Sequence, residues 1–405
     1  MLRSVFRAYR EAYSGLPRAT WLLAGAAFFN RAGHMVLPYL ALYLTSQHGY
    51  AADQAGRFIG LYGVGAFLGA YLGGEAVDRF DSVRVQVFSL LGTAVGYGIL
   101  SQAQTTTQIG VVLFGTALVS EAFRPASLAS VAIYNPEAVR PRAFGLVRLA
   151  VNLGFAMGPT LGGFLAAVSY SWLFAVDAAT CLAAGLFLAV TMRGRRAFED
   201  EPSADELAGV RRSPWRDRVF LSILVLLLGV GAIFFQFEST YTLYLHEVIG
   251  LSEARIGPLF AINALTIALF EMLLIKRLEN ASPLRVVAFG ALFVTMGFAG
   301  LLLFEHIAWV IVTLLMWTIG EMLTFPILSN VVSSRADRFS RGRYMALYTM
   351  AFATAFSTAP ILGTMLYEHV SPRAPFVACG VVGIIATAGF FALDRRASAM
   401  DAHRR

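Results

Sequence analysis

The sequence predicts an all-α membrane protein of twelve transmembrane helices arranged as two pseudo-symmetric six-helix bundles. Three observations predict it. The 405 residues are 57% apolar and only 14% charged, with a mean hydropathy of +0.65, outside the usual composition of soluble domains. Apolar stretches of about 20 residues, enough to cross the roughly 30 Å hydrocarbon core of a bilayer, recur along the whole chain. The chain also matches itself at an offset of 201 residues, an internal repeat of the kind that fixes architecture.

The apolar runs place spans near 19 to 46, 53 to 77, 83 to 101, 108 to 133, 142 to 167 and 171 to 192 in the first half. In the second half they fall near 219 to 245, 253 to 276, 285 to 304, 307 to 332, 343 to 367 and 374 to 393. The first run is too long for a signal-peptide core and is read as a mature helix. Ahead of it, Leu2, Phe6, Tyr9 and Tyr13 recur at helical spacing among Arg3, Arg7 and Arg10, which suggests a short helix lying in the interface until Pro17 ends it. Between the halves, RGRRAFEDEPSADELAGVRRSPWRDR (193 to 218) carries dense charge of both signs and is read as a cytoplasmic linker. The expected domains are therefore 1–192, a linker 193–218, and 219–405 with a short cytoplasmic tail.

Basic residues set the orientation, because Lys and Arg are retained on the cytoplasmic side of short loops. Of the 32 Lys and Arg residues, only Arg57, Arg255 and Arg373 border the odd-numbered loops. Both termini are thus expected in the cytoplasm of a bacterial inner-membrane, multi-pass protein; lysine occurs only at Lys276, the arginine bias of a GC-rich genome. The same asymmetry accounts for the net charge of +7 as topology and contact with anionic lipid, and gives no support to nucleic-acid binding. Cys181 and Cys379 both fall within spans and offer no disulfide framework or metal spacing. There is no Walker A sequence, HExxH, CxxC pair or dinucleotide fingerprint, so neither an enzyme, a cofactor nor a bound metal is expected, and ATP-driven work is unsupported.

The repeat is specific. Leu42-Tyr43-Leu44 falls on Leu243-Tyr244-Leu245, Gly49 on Gly250, Gly56 on Gly257, Pro125 on Pro326, Arg140 and Arg142 on Arg341 and Arg343, Pro159 on Pro360, and Gly162 on Gly363. Six spans per half give both halves the same orientation, related by an axis along the membrane normal.

Residues 145 to 163, GLVRLAVNLGFAMGPTLGG, hold Gly145, Gly154, Gly158, Pro159, Gly162 and Gly163. Gly154, Gly158 and Gly162 stand four apart on one side of the fifth span, where absent side chains let a neighbouring helix approach closely, and Pro159 adds a bend. This stretch resembles motif C of the drug/proton antiporters of the major facilitator superfamily. Between spans two and three, GEAVDRFDSVR carries Gly74, Asp78 and Arg79 where the superfamily has motif A. The later part departs from the pattern, with Asp81 and Ser82 at the glycine and arginine positions and Arg84 as a substitute charge. The resemblance implies a twelve-helix secondary transporter working by alternating access, with a rewired charge latch on the cytoplasmic face. Arg124 lies near the arginine of motif B, but Pro125 follows it.

Charges within spans cost about 2.5 to 3.5 kcal/mol each unless paired, wetted or neutralised. Here they are Arg31, Glu121, Arg124, Arg148 and Asp177 in the first half and Glu238, Glu271 and Glu321 in the second. Glu121 and Arg124, three apart, are placed to pair locally, or Glu121 to meet Arg31 across a shared cavity. Desolvation favours a neutral carboxyl group and a nearby arginine favours a charged one. Glu121 and Glu321 are therefore the first candidates to carry a coupling proton, with Glu238 and Asp177 next; Glu271 is expected to pair with Lys276 or Arg277. Asn30, Arg31 and His34 form a polar patch in the first span, and Arg148 with Asn152 another in the fifth. With Arg124 and Tyr241 they are the candidate substrate contacts.

Taken with the resemblance, these residues imply a proton-coupled antiporter exporting small amphipathic molecules, neutral or cationic. Its partners are expected to be a small-molecule substrate, protons and the lipid bilayer, the protein itself being a monomer. Two rivals remain: a symporter importing a sugar, peptide or organic anion, for which three intramembrane arginines speak, and a non-transporting membrane sensor.

Overall fold

The computed structural model describes residues 13–136, 139–194, 214–278, 280–335 and 341–402. Every regular element among them is helical. In chain order these are α1 (Arg18–Ala32), α2 (Val36–His48), α3 (Ala52–Arg79), α4 (Ser82–Leu100), α5 (Thr106–Ser120), α6 (Phe123–Ile133), α7 (Arg140–Val168) and α8 (Tyr170–Thr191). They continue with α9 (Arg218–Phe234), α10 (Thr240–Glu247), α11 (Glu253–Arg277), α12 (Pro283–Gly300), α13 (Ile307–Arg335), α14 (Arg341–His369) and α15 (Ala374–Ala402). Only helices and closed barrels satisfy the backbone inside hydrocarbon, so this outcome follows from the hydropathy. The expected interfacial stretch ahead of Tyr13, most of the 193–218 linker, Glu279, and the side chains of Asp78, Lys276, Arg341 and Arg343 lie outside the described residues.

Eleven helical stretches among the described residues are long and apolar enough to cross a membrane. The first span makes the twelfth. It divides at Gly33–Met35 into α1 and α2, so neither piece reaches 18 residues. Two further spans are interrupted: the fourth at Glu121–Ala122, between α5 and α6, and the seventh at a 3-10 turn, Phe235–Glu238, between α9 and α10. The breaks in spans one and seven fall at equivalent positions of the 201-residue repeat.

Loop residues start the helices. The Asp81 carboxylate accepts the N–H groups of Val83 and Arg84, both at 3.0 Å, Thr105 and Gln108 form a capping box on α5, and Asp217 accepts from Val219 and Phe220. Each satisfies donors that the first helical turn leaves free. Asp81, at motif A's glycine position, thus caps α4. Burial first, and then the negative charge of Asp81, push the Tyr134 hydroxyl above the usual tyrosine range.

The described residues fall into two compact units, those within 1–36 and 64–204 and those within 37–63 and 205–405. In the first unit, small residues let helices touch. A Cβ on Gly154 would lie 2.5 Å from the Phe28 carbonyl oxygen, and one on Gly158 2.8 Å from that of Arg31, so α7 rides directly on the backbone of α1. Gly65, Gly69 and Gly73 do the same for α3 against Phe114, Leu118 and Ala122. The interrupted fourth span leaves carbonyls at the end of α5, and the Ser89 hydroxyl donates to those of Val119 and Ser120 at 2.7 and 3.1 Å.

In the second unit α12 and α13 interlock through Gly290, Gly297 and Gly320; a Cβ on Gly320 would meet the Val294 nitrogen at 2.5 Å. The α1–α7 seam has its counterpart between α9 and α14, with the roles exchanged. Ala355 stands at the repeat position of Gly154, and the glycine is now Gly231 on α9, where a Cβ would be 2.7 Å from that of Ala355. The 37–63 segment packs on α14 through Gly56, Gly60 and Gly63, and a Cβ on Gly56 would lie 2.7 Å from the Pro360 carbonyl.

Candidate functional site

In the first unit the candidate residues gather around the break in the first span. Asn30 and Arg31 precede it, His34 lies in it, and all three are half-buried. The close approach at Gly154, whose Cβ would be 2.9 Å from that of Arg31, brings α7 against this segment, and the His34 ring meets that of Phe155 at 6.1 Å. Arg148, Asn152 and Phe155 share one face of α7 by helical spacing; Asn152 is half-buried and Arg148 exposed. The N-terminal polar patch and the fifth-span patch are therefore neighbours.

Asp177 is 1% exposed. Its Oδ2 accepts the N–H groups of Met35 and Val36 at 3.1 and 3.2 Å, and the Cys181 thiol donates to its Oδ1 at 3.8 Å.

Glu121 lies in the interruption of span four, half-buried, with Arg124 exposed one turn on. The local Glu121–Arg124 pair expected from the sequence does not form, and neither does an Arg31–Glu121 pair, among the described residues. The reason is the interruption itself: the i, i+3 relation that brings such side chains together needs an unbroken helix, and the helix stops at Ser120 and restarts at Phe123. Of the motif A residues, Gly74 has open space where a Cβ would stand and Arg79 is exposed. In motif C, Gly145 makes only ordinary contact with Tyr13, and Pro159 is buried within α7.

In the second unit Glu321 is half-buried on α13. The Asn263 side-chain amide on α11 donates to it at 3.1 Å and to the Thr318 hydroxyl oxygen at 3.0 Å. Trp317, Glu321 and Phe325 stand four apart along one face of α13, and Phe234 reaches both rings, at 5.9 Å from Trp317 and 4.9 Å from Phe325. The carboxylate is thus held by an amide and bracketed by aromatic surface, an arrangement suited to an organic cation, which gains from both the charge and the ring faces. Tyr241 is buried against Phe298 and Trp317, at 5.9 and 6.3 Å. Glu238 and Glu271 are 4% and 5% exposed. Glu238 closes the turn that interrupts span seven, next to Phe237, which stacks on Trp317 at 6.2 Å.

Asn263, Thr318, Phe155 and Gln236 were not among the residues that the sequence singled out. A signal existed for two of them. Thr318 precedes Glu321 by one helical turn, and Asn263 is an amide in the interior of an otherwise apolar span, where polar groups demand partners.

Comparison with known proteins bears on the whole arrangement. The family model described as Major Facilitator Superfamily matches residues 20–360. Among curated relatives, the uncharacterized MFS-type transporter YqjV of Bacillus subtilis is 25% identical over 338 residues, covering 81% of each chain. A Na(+), Li(+), K(+)/H(+) antiporter of Planococcus maritimus is 24% identical, with 84% of this chain and 87% of that one covered. Multidrug resistance protein MdtH of Yersinia pestis is 23% identical, covering 88% and 89%. Of solved structures, a peptide transporter POT in complex with sulfate superposes with a TM-score of 0.81 at 17% identity, covering 96% of both chains. The nucleoside transporter NupG gives 0.74 at 13%, covering 93% of this chain and all of that one. At these identities the structural likeness speaks for the fold. A family match over most of the chain, on a framework of twelve spans with close-packed glycine seams, makes this protein a member of the Major Facilitator Superfamily: a multi-pass membrane transporter and not an enzyme.

Proposed function

We propose that this transporter is a proton-coupled antiporter that exports small amphipathic molecules, organic cations above all. The observation that carries the reading is Glu321, a carboxylate held by Asn263 and set among Phe234, Trp317 and Phe325. A cation entering such a place exchanges water for a carboxylate and ring faces, each worth more once water is excluded. Support comes also from the seam at Gly154 and Gly158, formed by the residues that resemble motif C, and from relatives whose names include a cation/proton antiporter and a multidrug resistance protein.

Coupling needs a group that is charged in one conformation and neutral in the other, because a ligand shifts an equilibrium only through differential affinity. Glu121 takes that role in this reading. It sits at a helix interruption, and approach of Arg31 or Arg124 in another conformation would favour its charged form while withdrawal would release it to a proton. Glu321 attracts the cation. The protein works as a monomer in a bacterial inner membrane with both termini cytoplasmic. Its two six-helix halves, 1–192 and 219–405, rock about the site, and the 193–218 linker joins them.

Everted vesicles under an imposed pH gradient test these roles, with ethidium as the cationic probe. Glu121→Gln should abolish uphill, pH-driven transport and leave downhill equilibration. Glu321→Gln should raise the KM for the cation about tenfold or more, on the scale of a lost charge and cation–π contact, and spare a neutral amphipathic substrate. Wild-type uphill rates in both variants would remove the two acids from the account.

A further inference from the structure

The break in the first span is closed by backbone bonds of Gly33, His34 and Met35 and by one buried side chain, Asp177. Inside hydrocarbon a helix cannot stop without leaving backbone donors that cost several kcal/mol each; here Oδ2 of Asp177 accepts the Val36 N–H at 3.2 Å and shares the Met35 N–H, at 3.1 Å, with the Gly33 carbonyl at 2.8 Å. The neighbourhood is built to admit that carboxyl group. A Cβ on Gly33 would lie 2.2 Å from the Thr180 hydroxyl oxygen and 3.1 Å from Asp177 Oδ1, so only glycine lets α8 come this close. The equivalent break in span seven is held differently. There the Gln236 amide donates to the carbonyls of Ala232 and Ala359 at 3.1 and 3.0 Å and accepts from Thr240 at 2.7 Å, while the repeat position of Asp177 is Ala378. A neutral amide thus serves one break by donating to carbonyls, where an acid serves the other by accepting from N–H groups.

We propose that Asp177 is a positioning residue and not a proton carrier: it fixes the turn at 33–36 and so presents Arg31 and His34, a task that an amide oxygen performs as well as a carboxylate. Both N–H bonds end on one oxygen, which asparagine reproduces atom for atom, and Asn and Asp are equally good at helix starts. The nearby groups that carry or take charge are Arg31 and His34 on the first span and Cys181 on its own helix. The inference rests on the proposed site at Arg31 and His34, but its test does not use the direction of flux, so an importer would leave it standing.

The test compares Asp177→Asn, Asp177→Ala, Gly33→Ala and the Gly33→Ala/Thr180→Ala pair in the full-length protein reconstituted in liposomes. Amide hydrogen exchange of the segment holding Met35 and Val36 is read beside ethidium equilibration and the pH profile of its uphill transport. Asp177→Asn should keep the wild-type pH profile, a rate within about twofold, and slow exchange at both amides. Asp177→Ala and Gly33→Ala should speed exchange about tenfold or more and raise KM, and Thr180→Ala should restore part of the Gly33→Ala loss. The opposite result for asparagine would overturn the proposal: protected amides and intact equilibration, but uphill transport lost or its pH profile shifted. That outcome is readable even if the alanine variants do not insert.

Discussion

Asp217 shows how one loop residue ties several elements. Burial works to raise its carboxyl group, but the Arg335 guanidinium, the Phe220 N–H and the Tyr344 hydroxyl bond the charged form and hold it below the usual carboxylate range. Arg335 reaches it with two nitrogens, at 3.1 and 3.0 Å. A carboxyl group depressed in the folded state adds stability above its unfolded value, about 3.9, and loses it as pH falls through the folded value. Asp217→Asn should therefore unfold more easily in detergent at pH 7, by about 1 to 2 kcal/mol after solvent screening, and its deficit against wild type should vanish well below pH 4. A deficit independent of pH would mean that charge is not what Asp217 supplies. Acids in the spans could be read from the sequence as costly and therefore partnered, but not by whom. Glu321 met Asn263, 58 residues away, whereas Glu121, with an arginine three positions on, met neither that arginine nor Arg31. Helical spacing announces a pair only while the helix continues, and nothing in a hydropathy window marks its interruption at Ser120.

The same limit applies to whole elements. All twelve spans were legible because twenty apolar residues leave little alternative to a membrane helix, yet the breaks at Gly33–Met35 and Phe235–Glu238 were not, since the polar residues in them, His34, Gln236 and Glu238, read equally well as side chains on a continuous helix. The glycine seam was legible, because spacing by four with no side chains means close approach. What the sequence concealed was its mirror image, with Gly231 on α9 serving where Gly154 on α7 serves in the first unit. Gly158→Leu should drive a side chain into the Arg31 and Ala32 carbonyls, at 2.8 and 3.0 Å from its Cβ. Backbone cannot step aside as a flexible side chain does, so transport should fall at least about tenfold while the protein still inserts, with overpacking costing about 1 to 3 kcal/mol in stability. Gly231→Leu should act likewise through Ala355. Full transport and unchanged thermal stability in both would show that neither seam is closely packed.

At the scale of the molecule, the two halves of the sequence share a repeat but differ in chemistry. The first carries three arginines in its spans and an acid-held break; the second carries acids, an amide-held break and the aromatic bracket about Glu321. That division is what the antiport reading uses: one half for the proton, the other for the cation, with competition between the two conformations doing the coupling. The central claim is opposite movement of the two ions. Purified protein in proteoliposomes, given an acid interior and external tetraphenylphosphonium at zero membrane potential, should accumulate the cation above its equilibrium level while the interior turns alkaline faster than in the absence of the cation, and an uncoupler, by collapsing the pH gradient, should abolish the accumulation. Protons and cation entering or leaving together, or cation uptake indifferent to the pH gradient, would contradict it.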